Sequence, residues 1–344
     1  MRILLTADPL IPVPPVGYGG IERIVDALLR RYLALGHDVG LMAHPDSAAP
    51  AARRFAWPAP ATGGVAATWR NAFALRRAAA EFRPDLLHSF SRLAYLLPLL
   101  PTRLPKIMSY QRHTGGRQVA LAARLAGRSL QVTGCSEFIC GMGRPAGGTW
   151  HAIPNFIELD KITFVPQVPA DAPLLFLSRV ESIKGPDLAI AIARQAGRRL
   201  LIAGNHSTTG PEGRFFADRV APHLGRDGVE WIGEVGDVQK DGLLGRCAAL
   251  LVPIQWDEPF GIVFAEALAA GTPVITCARG ALPEIVQPGV TGFFVQTADE
   301  GAAAVARLPS LDRAACRAVA ESRFSLGVCA DRYLQLYAAT TRSG

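Results

Sequence analysis

Two glutamates with seven residues between them, Glu258 and Glu266, are the pair of side chains in this sequence that most clearly suggests chemistry. The apolar run 248–254 before them predicts a buried strand, and the segment 261–270 predicts a helix that Gly271 ends. One carboxylate therefore lies in a loop at the carboxyl end of a strand, where open α/β sheets bind ligands, and the other lies on the following helix. Carboxylates accept hydroxyl hydrogen bonds, so the pair suits a polyhydroxylated ligand. The alternative is two ordinary acids that complement a helix dipole.

Two cations, Arg179 and Lys184, stand five residues apart between a predicted strand and a predicted helix. Arginine can bind a phosphate through two parallel hydrogen bonds, and lysine binds it as a compact point charge. The spacing therefore suits a diphosphate at the edge of a sheet. The alternative is that both cations are simply solvated.

A glycine-rich loop, 17–22, lies between the first predicted strand and the first predicted helix. Gly19 and Gly20 permit close backbone approach, and the N-terminus of a helix favours anions. The loop lacks the G-x-G-x-x-G pattern, and the proline-rich segment before it is too long for a dinucleotide fold. We interpret Glu22 as an acid at the start of the helix rather than as a catalytic residue.

A histidine, His113, follows the predicted strand 107–111 in a second glycine-containing loop. A histidine in such a loop can contact a sugar hydroxyl or a carbonyl oxygen, and we choose it among the seven histidines of the chain. His88 also stands at a strand end, but a packing role explains it at least as well.

The elements that must position these residues alternate between strand and helix in both halves of the chain. Alternation of this kind predicts parallel sheets with right-handed crossovers, and 344 residues fit two domains. We therefore expect an α/β protein in which two Rossmann-like, doubly wound domains face a central cleft. The boundaries that we predict are 1–160 for the first domain and 170–325 for the second, separated by a proline-rich linker, with a helix at about 326–344 packing back on the first domain.

The glutamate pair, with Phe260 and Gly261 between its members and a Gly-Thr-Pro sequence behind, resembles the signature of the retaining glycosyltransferases of family 4, which have the GT-B fold. The Arg179–Gly185 segment is similar to the Arg-x4-Lys-Gly element of that family, although Ser178 replaces the usual glycine. The loop of His113 resembles the family's Thr-x-His-Gly loop. The resemblance extends over most of the chain and is strongest in the second domain.

The resemblance implies an enzyme that moves a sugar from a nucleotide diphosphate sugar with retention of anomeric configuration. It places the ribose hydroxyls at Glu266, the diphosphate at Arg179 and Lys184, and the 3- and 4-hydroxyls of the sugar at Glu258. It also places the loop Gly233–Val235 beside the base. The implied catalytic residues are Glu258, His113, Arg179 and Lys184. The implied donor-binding residues are Gly19, Gly20, Arg179, Lys184, Val235, Glu258, Phe260, Gly261, Ile262 and Glu266.

The expected mechanism uses no metal and no cofactor. The sequence has no Asp-x-Asp, which is the usual Mg²⁺-diphosphate element of the other glycosyltransferase fold, and it has no clustered histidines and cysteines with zinc spacing. No carboxylate is placed as a covalent nucleophile, which is consistent with front-face attack in which the donor phosphate accepts the proton of the acceptor. Family frequency alone favours uridine as the base.

The acceptor is expected on the first domain, and its identity stays open between a natural-product scaffold, a polysaccharide intermediate and a lipid. Residues 1–155 hold 18 of the 36 lysines and arginines but only 8 of the 29 acidic residues. This excess predicts an anionic partner, such as a phosphorylated acceptor or a membrane surface, unless it reflects an arginine-rich composition. Nucleic acid is not the partner that we favour.

Six cysteines without a CxxC pair favour reduced thiols and a cytoplasmic protein, with peripheral contact at the inner membrane face left open. Two other functions compete with sugar transfer. One is a nucleotide-sugar 2-epimerase with the GT-B fold, which would need more acid and base carboxylates in the first domain. The other is a catalytically silent module that binds nucleotide sugars.

Overall fold

The computed structural model describes residues 1–17, 19–113 and 116–342. Tyr18 of the glycine-rich loop, Thr114 and Gly115 beside His113, and the final two residues of the predicted C-terminal helix therefore lie outside the described residues. The chain divides into two compact units. Unit 1 comprises Met1–Phe156 together with the segment that begins at Leu326, and unit 2 comprises Ile157–Ser325.

Unit 1 is built on a seven-stranded parallel sheet with the strand order β3-β2-β1-β4-β5-β6-β7. Its strands are Arg2–Thr6 (β1), Asp38–Ala43 (β2), Arg53–Ala56 (β3), Leu86–Ser89 (β4), Lys106–Tyr110 (β5), Leu130–Gly134 (β6) and Trp150–Ala152 (β7). Its first helices are Gly20–Ala34 (α1), Gly64–Phe82 (α2), Gly116–Ala126 (α3) and Glu137–Gly143 (α4). The central strand β1 is a short apolar run because helices cover both faces of a parallel sheet.

Unit 2 repeats the architecture with six parallel strands in the order β10-β9-β8-β11-β12-β13. The strands are Leu174–Leu177 (β8), Leu200–Ala203 (β9), Val229–Gly233 (β10), Ala249–Leu251 (β11), Val274–Thr276 (β12) and Gly292–Phe294 (β13). The helices are Pro186–Gln195 (α5), Gly210–Phe215 (α6), Asp237–Arg246 (α7), Ile262–Ala269 (α8), Leu282–Ile285 (α9), Ala298–Arg307 (α10) and Arg313–Phe324 (α11). Two parallel α/β sheets confirm the predicted fold class.

One further helix, Leu326–Arg342 (α12), follows unit 2 in sequence but packs in unit 1. The hydroxyl of its Tyr337 lies 2.6 Å from Nδ1 of His88 on β4 and 3.1 Å from the hydroxyl of Tyr32 on α1. Nε2 of His88 lies 2.6 Å from Oγ of Ser109 on β5. Complete burial lowers the pKa of His88 to about 3, so the ring is neutral. His88 therefore has a packing role, as its alternative interpretation predicted.

Three local predictions need correction. The alanine- and proline-rich composition of residues 48–61 predicts a loop, but this segment contains β3, a short edge strand whose Arg-Arg-Phe-Ala sequence lacks an apolar run. The strand–helix alternation of the second half predicts a helix at 215–224, but the helix begins at Gly210, where Pro211 fits the first turn. It continues from Phe216 as a π-helical turn. The proline-rich stretch expected as a linker is part of unit 2, because the carbonyl of Val165 accepts a hydrogen bond from Arg313.

Candidate functional site

The predicted donor residues of unit 2 lie in loops at the carboxyl ends of neighbouring strands. Strand β8 pairs in parallel with β11, so the loop 178–185 and the loop 252–261 leave the sheet at the same edge. Helices α5 and α8 begin directly after these loops. This edge is where ligands bind in open α/β sheets.

Main-chain contacts hold the two loops together. The N–H of Gln255 donates to the carbonyl of Ile183 at 2.8 Å. Gly185 has a φ of +71°, and a Cβ there would stand 2.2 Å from the carbonyl oxygen of Pro253. Because no other residue type tolerates both conditions, glycine at this position fixes how closely the two loops approach.

Lys184 and Glu258 form an ion pair between the two loops. Nζ of Lys184 lies 2.7 Å from Oε2 of Glu258, and the two side chains are only 11% and 13% exposed. The indole N–H of Trp256 donates to the same oxygen at 2.9 Å, and the lysine ammonium lies 5.0 Å from the centre of the Trp256 ring system. Among the described residues, Oε1 of Glu258 receives no hydrogen bond, so it stays available to a ligand hydroxyl.

The backbone of Glu258 is fixed as well as its side chain. Its carbonyl accepts a hydrogen bond of 2.9 Å from the N–H of Ala281. Gly280, with a φ of +57°, packs so closely that a Cβ there would stand 2.4 Å from the nitrogen of Glu258. The carboxylate is therefore carried by a loop that the protein has already ordered, which lowers the entropy cost of binding.

Arg179 stands at the end of β8 with a side chain that is 51% exposed. Its Nη1 donates to Oε1 of Glu181 at 2.6 Å. Ser182, which follows, donates through its N–H and its hydroxyl to the carboxylate of Glu212 on α6, at 2.8 and 2.7 Å. The loop is thus anchored from α6 while the guanidinium remains accessible to an anion.

Glu266 lies on the second turn of α8 and pairs with Lys240 of α7. Nζ of Lys240 lies 2.6 Å from Oε1 of Glu266 and 3.5 Å from Asp237. Sequence reasoning missed Lys240 because a lysine on the first turns of a helix is usually a solvated side chain. The only feature that could have indicated Lys240 was its place in the helix after Val235, the residue predicted to lie beside the base. In the structure, Val235 is half-buried in the loop between β10 and α7.

The residues between the glutamates form the start of α8. Gly261 caps the helix, and Phe260 is 3% exposed, with its ring 5.7 Å from that of Phe324 in an edge-on arrangement. Ile262 is the first helical residue. The N–H groups of the first turn have no partner within the helix itself, and together with the helix dipole they favour an anion there.

A buried arginine, Arg313 of α11, holds the other ends of these helices. Its guanidinium donates to the carbonyls of Val165, Cys247 and Gly245 at 2.7, 3.1 and 2.9 Å, and to the hydroxyl of Thr272 at 2.8 Å. Gly245 and Cys247 belong to the carboxyl end of α7, and Thr272 follows α8. A cation at the carboxyl end of a helix is favoured by the dipole. Arg313 thereby fixes the helices that carry Lys240 and Glu266.

The remaining predicted residues lie in unit 1. Gly19 is the residue before α1 and Gly20 is its first residue, so both occupy a helix N-terminus. His113 follows β5 as an exposed residue, and its ring meets the edge of Phe138 at 5.8 Å. Gly19, Gly20 and His113 thus belong to unit 1, whereas the other eight predicted residues belong to unit 2: Arg179, Lys184, Val235, Glu258, Phe260, Gly261, Ile262 and Glu266.

Within the described ranges, no group of three or more histidine, cysteine, aspartate or glutamate side chains is placed to hold a metal ion. In the same part of the chain, no helix combines the length and the apolar character that crossing a membrane requires. Metal independence and contact with a membrane surface stay predictions.

The chain is similar to several known proteins. Residues 161–319 match the family model described as glycosyl transferases group 1, and residues 18–161 match the model described as glycosyltransferase family 4. Glycogen synthase of Mycobacterium tuberculosis is 29% identical over 372 residues, which cover 91% of this chain and 86% of the relative.

Two solved structures share the architecture. AviGT4, a glycosyltransferase involved in avilamycin A biosynthesis, is 28% identical with a TM-score of 0.76, covering 100% of this chain and 98% of that one. HepE of Anabaena, solved in complex with UDP-glucose, is 18% identical with a TM-score of 0.73, covering 98% and 100%. The second likeness shows the fold alone.

Proposed function

This chain belongs to the glycosyltransferases of family 4 and has their GT-B fold, and from this premise we propose that it transfers a sugar from a nucleotide diphosphate sugar to a hydroxyl group of an acceptor. The family, the fold and the enzyme class that the sequence predicted are confirmed. The donor, the stereochemical course and the independence from metal belong to the proposal.

The observation that carries the proposal is the pair of Lys184 and Glu258 at the carboxyl edge of the second sheet. An ammonium has three donors and a carboxylate has about four acceptor positions, so each can bind a ligand while the pair persists. A diphosphate oxygen beside Lys184 and a sugar hydroxyl beside Oε1 of Glu258 would satisfy both groups at once. Arg179, half-exposed on the same loop, supplies a second cation for the diphosphate.

Unit 2 would bind the nucleotide along the same edge. Glu266 would accept hydrogen bonds from the ribose hydroxyls through Oε2, since Lys240 occupies Oε1. The base would lie beside Val235. We propose a uridine nucleotide because HepE, which shares the fold, is solved with UDP and with UDP-glucose.

Charge development explains how this arrangement would accelerate transfer. As the glycosidic bond of the donor breaks, negative charge grows on the leaving diphosphate while the sugar becomes oxocarbenium-like. Arg179, Lys184 and the first turn of α8 are already oriented for that charge and need no reorganisation. We propose retention by front-face attack, in which the donor phosphate accepts the proton of the acceptor hydroxyl.

Incubation with a panel of UDP-, GDP- and ADP-linked sugars, read by mass spectrometry, tests the proposal. We expect turnover of a UDP-sugar with release of UDP, and NMR of the product should show the anomeric configuration of the donor. If calorimetry showed that the donor binds, but neither transfer nor slow hydrolysis of the donor occurred, catalysis would be contradicted and a silent binding module would be supported. Conversion of the donor sugar into its 2-epimer would support the epimerase.

Arg179→Ala and Lys184→Ala are each expected to weaken the binding of UDP more than tenfold while changing the binding of uridine less than twofold. Each variant loses a charge-assisted hydrogen bond worth about 1.5–3 kcal/mol. Calorimetric titration with both ligands measures the difference, with Arg226→Ala and Lys161→Ala as matched controls on exposed cations of unit 2. Equal losses for nucleoside and diphosphate would contradict the assignment of these cations to the diphosphate.

Transfer is expected to continue in the presence of EDTA. The reason is that Arg179 and Lys184 can neutralise the leaving group, which is what a divalent metal does in other glycosyltransferases. Initial rates after chelation and dialysis, with and without added Mg²⁺ or Mn²⁺, measure this. If chelation abolished transfer and one divalent metal restored it fully, the metal-free mechanism would be wrong.

A further inference from the structure

A group of polar side chains in unit 1 has hydrogen-bonding capacity that the protein does not use. The strands β1, β4 and β5 are neighbours in the sheet and run in parallel, so the residues that follow them meet at one edge. Asp8 follows β1, Arg92 follows β4 and Gln111 follows β5. None of these residues belongs to the donor site described above.

The unused atoms are buried. Oδ1 of Asp8 and both Oε1 and Nε2 of Gln111 are inaccessible to solvent, and none of the three has a hydrogen-bond partner among the described residues. The other oxygen of Asp8 lies 3.7 Å from Arg92. A buried polar atom without a partner costs about 1–3 kcal/mol. Three such atoms at the binding edge of a sheet therefore point to a ligand that supplies the missing partners.

A second carboxylate stands beside Asp8. Glu22, in the first turn of α1, is 5% exposed. A Cβ on Gly19 would stand 3.1 Å from its Oε2, so this carboxylate lies close to the backbone of Gly19. Burial raises the pKa of Glu22, and the nearby charge of Asp8 raises it further. Burial also raises the pKa of Asp8, against the opposing charges of Arg92 and Arg112.

We propose that Asp8, Glu22 and Gln111 form a binding site for an uncharged, hydroxyl-rich group such as a sugar ring or a cyclitol. Carboxylates accept hydrogen bonds from hydroxyls, and the amide of Gln111 can both accept and donate. Resting on the proposed function, the bound group would be the part of the acceptor that presents the attacking hydroxyl. This assigns Glu22 a ligand-binding role, where the sequence alone indicated an acid at the start of a helix.

The charges of the site discriminate between ligand classes. A phosphate would bring negative charge to two carboxylates that burial and mutual repulsion already disfavour as anions. A primary ammonium would gain little from two carboxylates whose anionic form burial disfavours, and it would stand near Arg92 and Arg112, both of which interact electrostatically with Asp8. A neutral polyol avoids both repulsions. The anionic partner that the charge distribution of the sequence suggested is therefore not expected at this place.

Saturation-transfer NMR on the full chain, without donor, tests the site with four probes: methyl α-glucoside, myo-inositol, glucosamine and glucose 6-phosphate. We expect saturation transfer to at least one of the two neutral probes and at least tenfold less to the charged ones. Asp8→Asn and Gln111→Leu should each weaken the binding of that probe at least tenfold. Gln118→Leu, on the exposed face of α3, should leave it unchanged.

The melting temperature distinguishes a ligand-binding role of Gln111 from a structural role, in which the variant would be less stable than the wild type. Without ligand, the melting temperature of Gln111→Leu should equal or exceed that of the wild-type protein, because the variant removes two unsatisfied buried atoms. Absence of binding by both neutral probes, preference for a charged probe, or binding that survives both variants would overturn the proposal. Calorimetric titration with UDP tests the proposed function separately, because the proposed donor site lies in unit 2 and includes none of these residues.

Discussion

Replacing Glu258 by glutamine is expected to reduce sugar transfer at least a hundredfold. The amide keeps the size of the side chain, but it removes the negative charge that holds Lys184 at 2.7 Å and that would accept a sugar hydroxyl. Both the position of the lysine and the recognition of the sugar are therefore affected. Initial rates with the best donor from the panel measure the loss. Glu230→Gln, at an exposed position of β10, serves as the matched control and should stay within twofold of wild type.

A double-mutant cycle separates the two contributions of Glu258. Each loss of activity is expressed as a change in activation free energy. If the carboxylate acts partly by positioning Lys184, the loss in the double variant Glu258→Gln/Lys184→Met should be much smaller than the sum of the losses in the two single variants. Full additivity would show that the two residues act independently. Activity of Glu258→Gln within a few-fold of wild type would remove Glu258 from the catalytic machinery altogether.

Replacing Arg313 by methionine is expected to destabilise the packing of α7 and α8 by at least about 3 kcal/mol. The variant leaves the carbonyls of Val165, Gly245 and Cys247 without their donor in a buried position, and each orphaned acceptor costs about 1–3 kcal/mol. A protein of two units need not unfold in a single two-state transition, so a global free energy of unfolding is poorly defined. Hydrogen exchange of peptides from α7 and α8 measures the local stability directly.

The exchange rates in those peptides should rise by roughly two orders of magnitude, which corresponds to about 3 kcal/mol. Peptides from unit 1 should exchange as in the wild type. Arg226→Met replaces an exposed arginine of the same unit and should change neither set. Unchanged exchange in α7 and α8 would mean that water or repacking satisfies the carbonyls, and that Arg313 is not what fixes these helices.

The sequence predicted best those features that depend on residues close together in the chain. The position of Glu258 in a loop and of Glu266 on the helix follows from an apolar strand, a stop at Gly271 and the period of the helix between them. The ion pair between Lys184 and Glu258 does not follow from local sequence in this way. Lys184 was identified from its own motif, whereas its pairing with Glu258 depends on the approach of two loops that are 74 residues apart in sequence.

Residues that act across distant elements escaped prediction. Arg313 is one of many arginines in a helix without a motif, and only the packing of four segments shows its function. Asp8 and Gln111 stand about a hundred positions apart, and their shared feature is a buried polar atom without a hydrogen-bond partner among the described residues, which a sequence cannot display. The edge strand β3 was missed because a strand with one neighbour needs no continuous apolar run.

The position of α12 has a consequence for the order in which the chain folds during synthesis. Unit 2 is a continuous segment, whereas unit 1 needs α12, which the ribosome makes after the whole of unit 2. Until Tyr337 arrives, His88 and Tyr32 lack the hydroxyl that joins them in the finished core. The core of unit 1 therefore stays incomplete until α12 has been synthesised, and the ribosome has by then made the whole of unit 2.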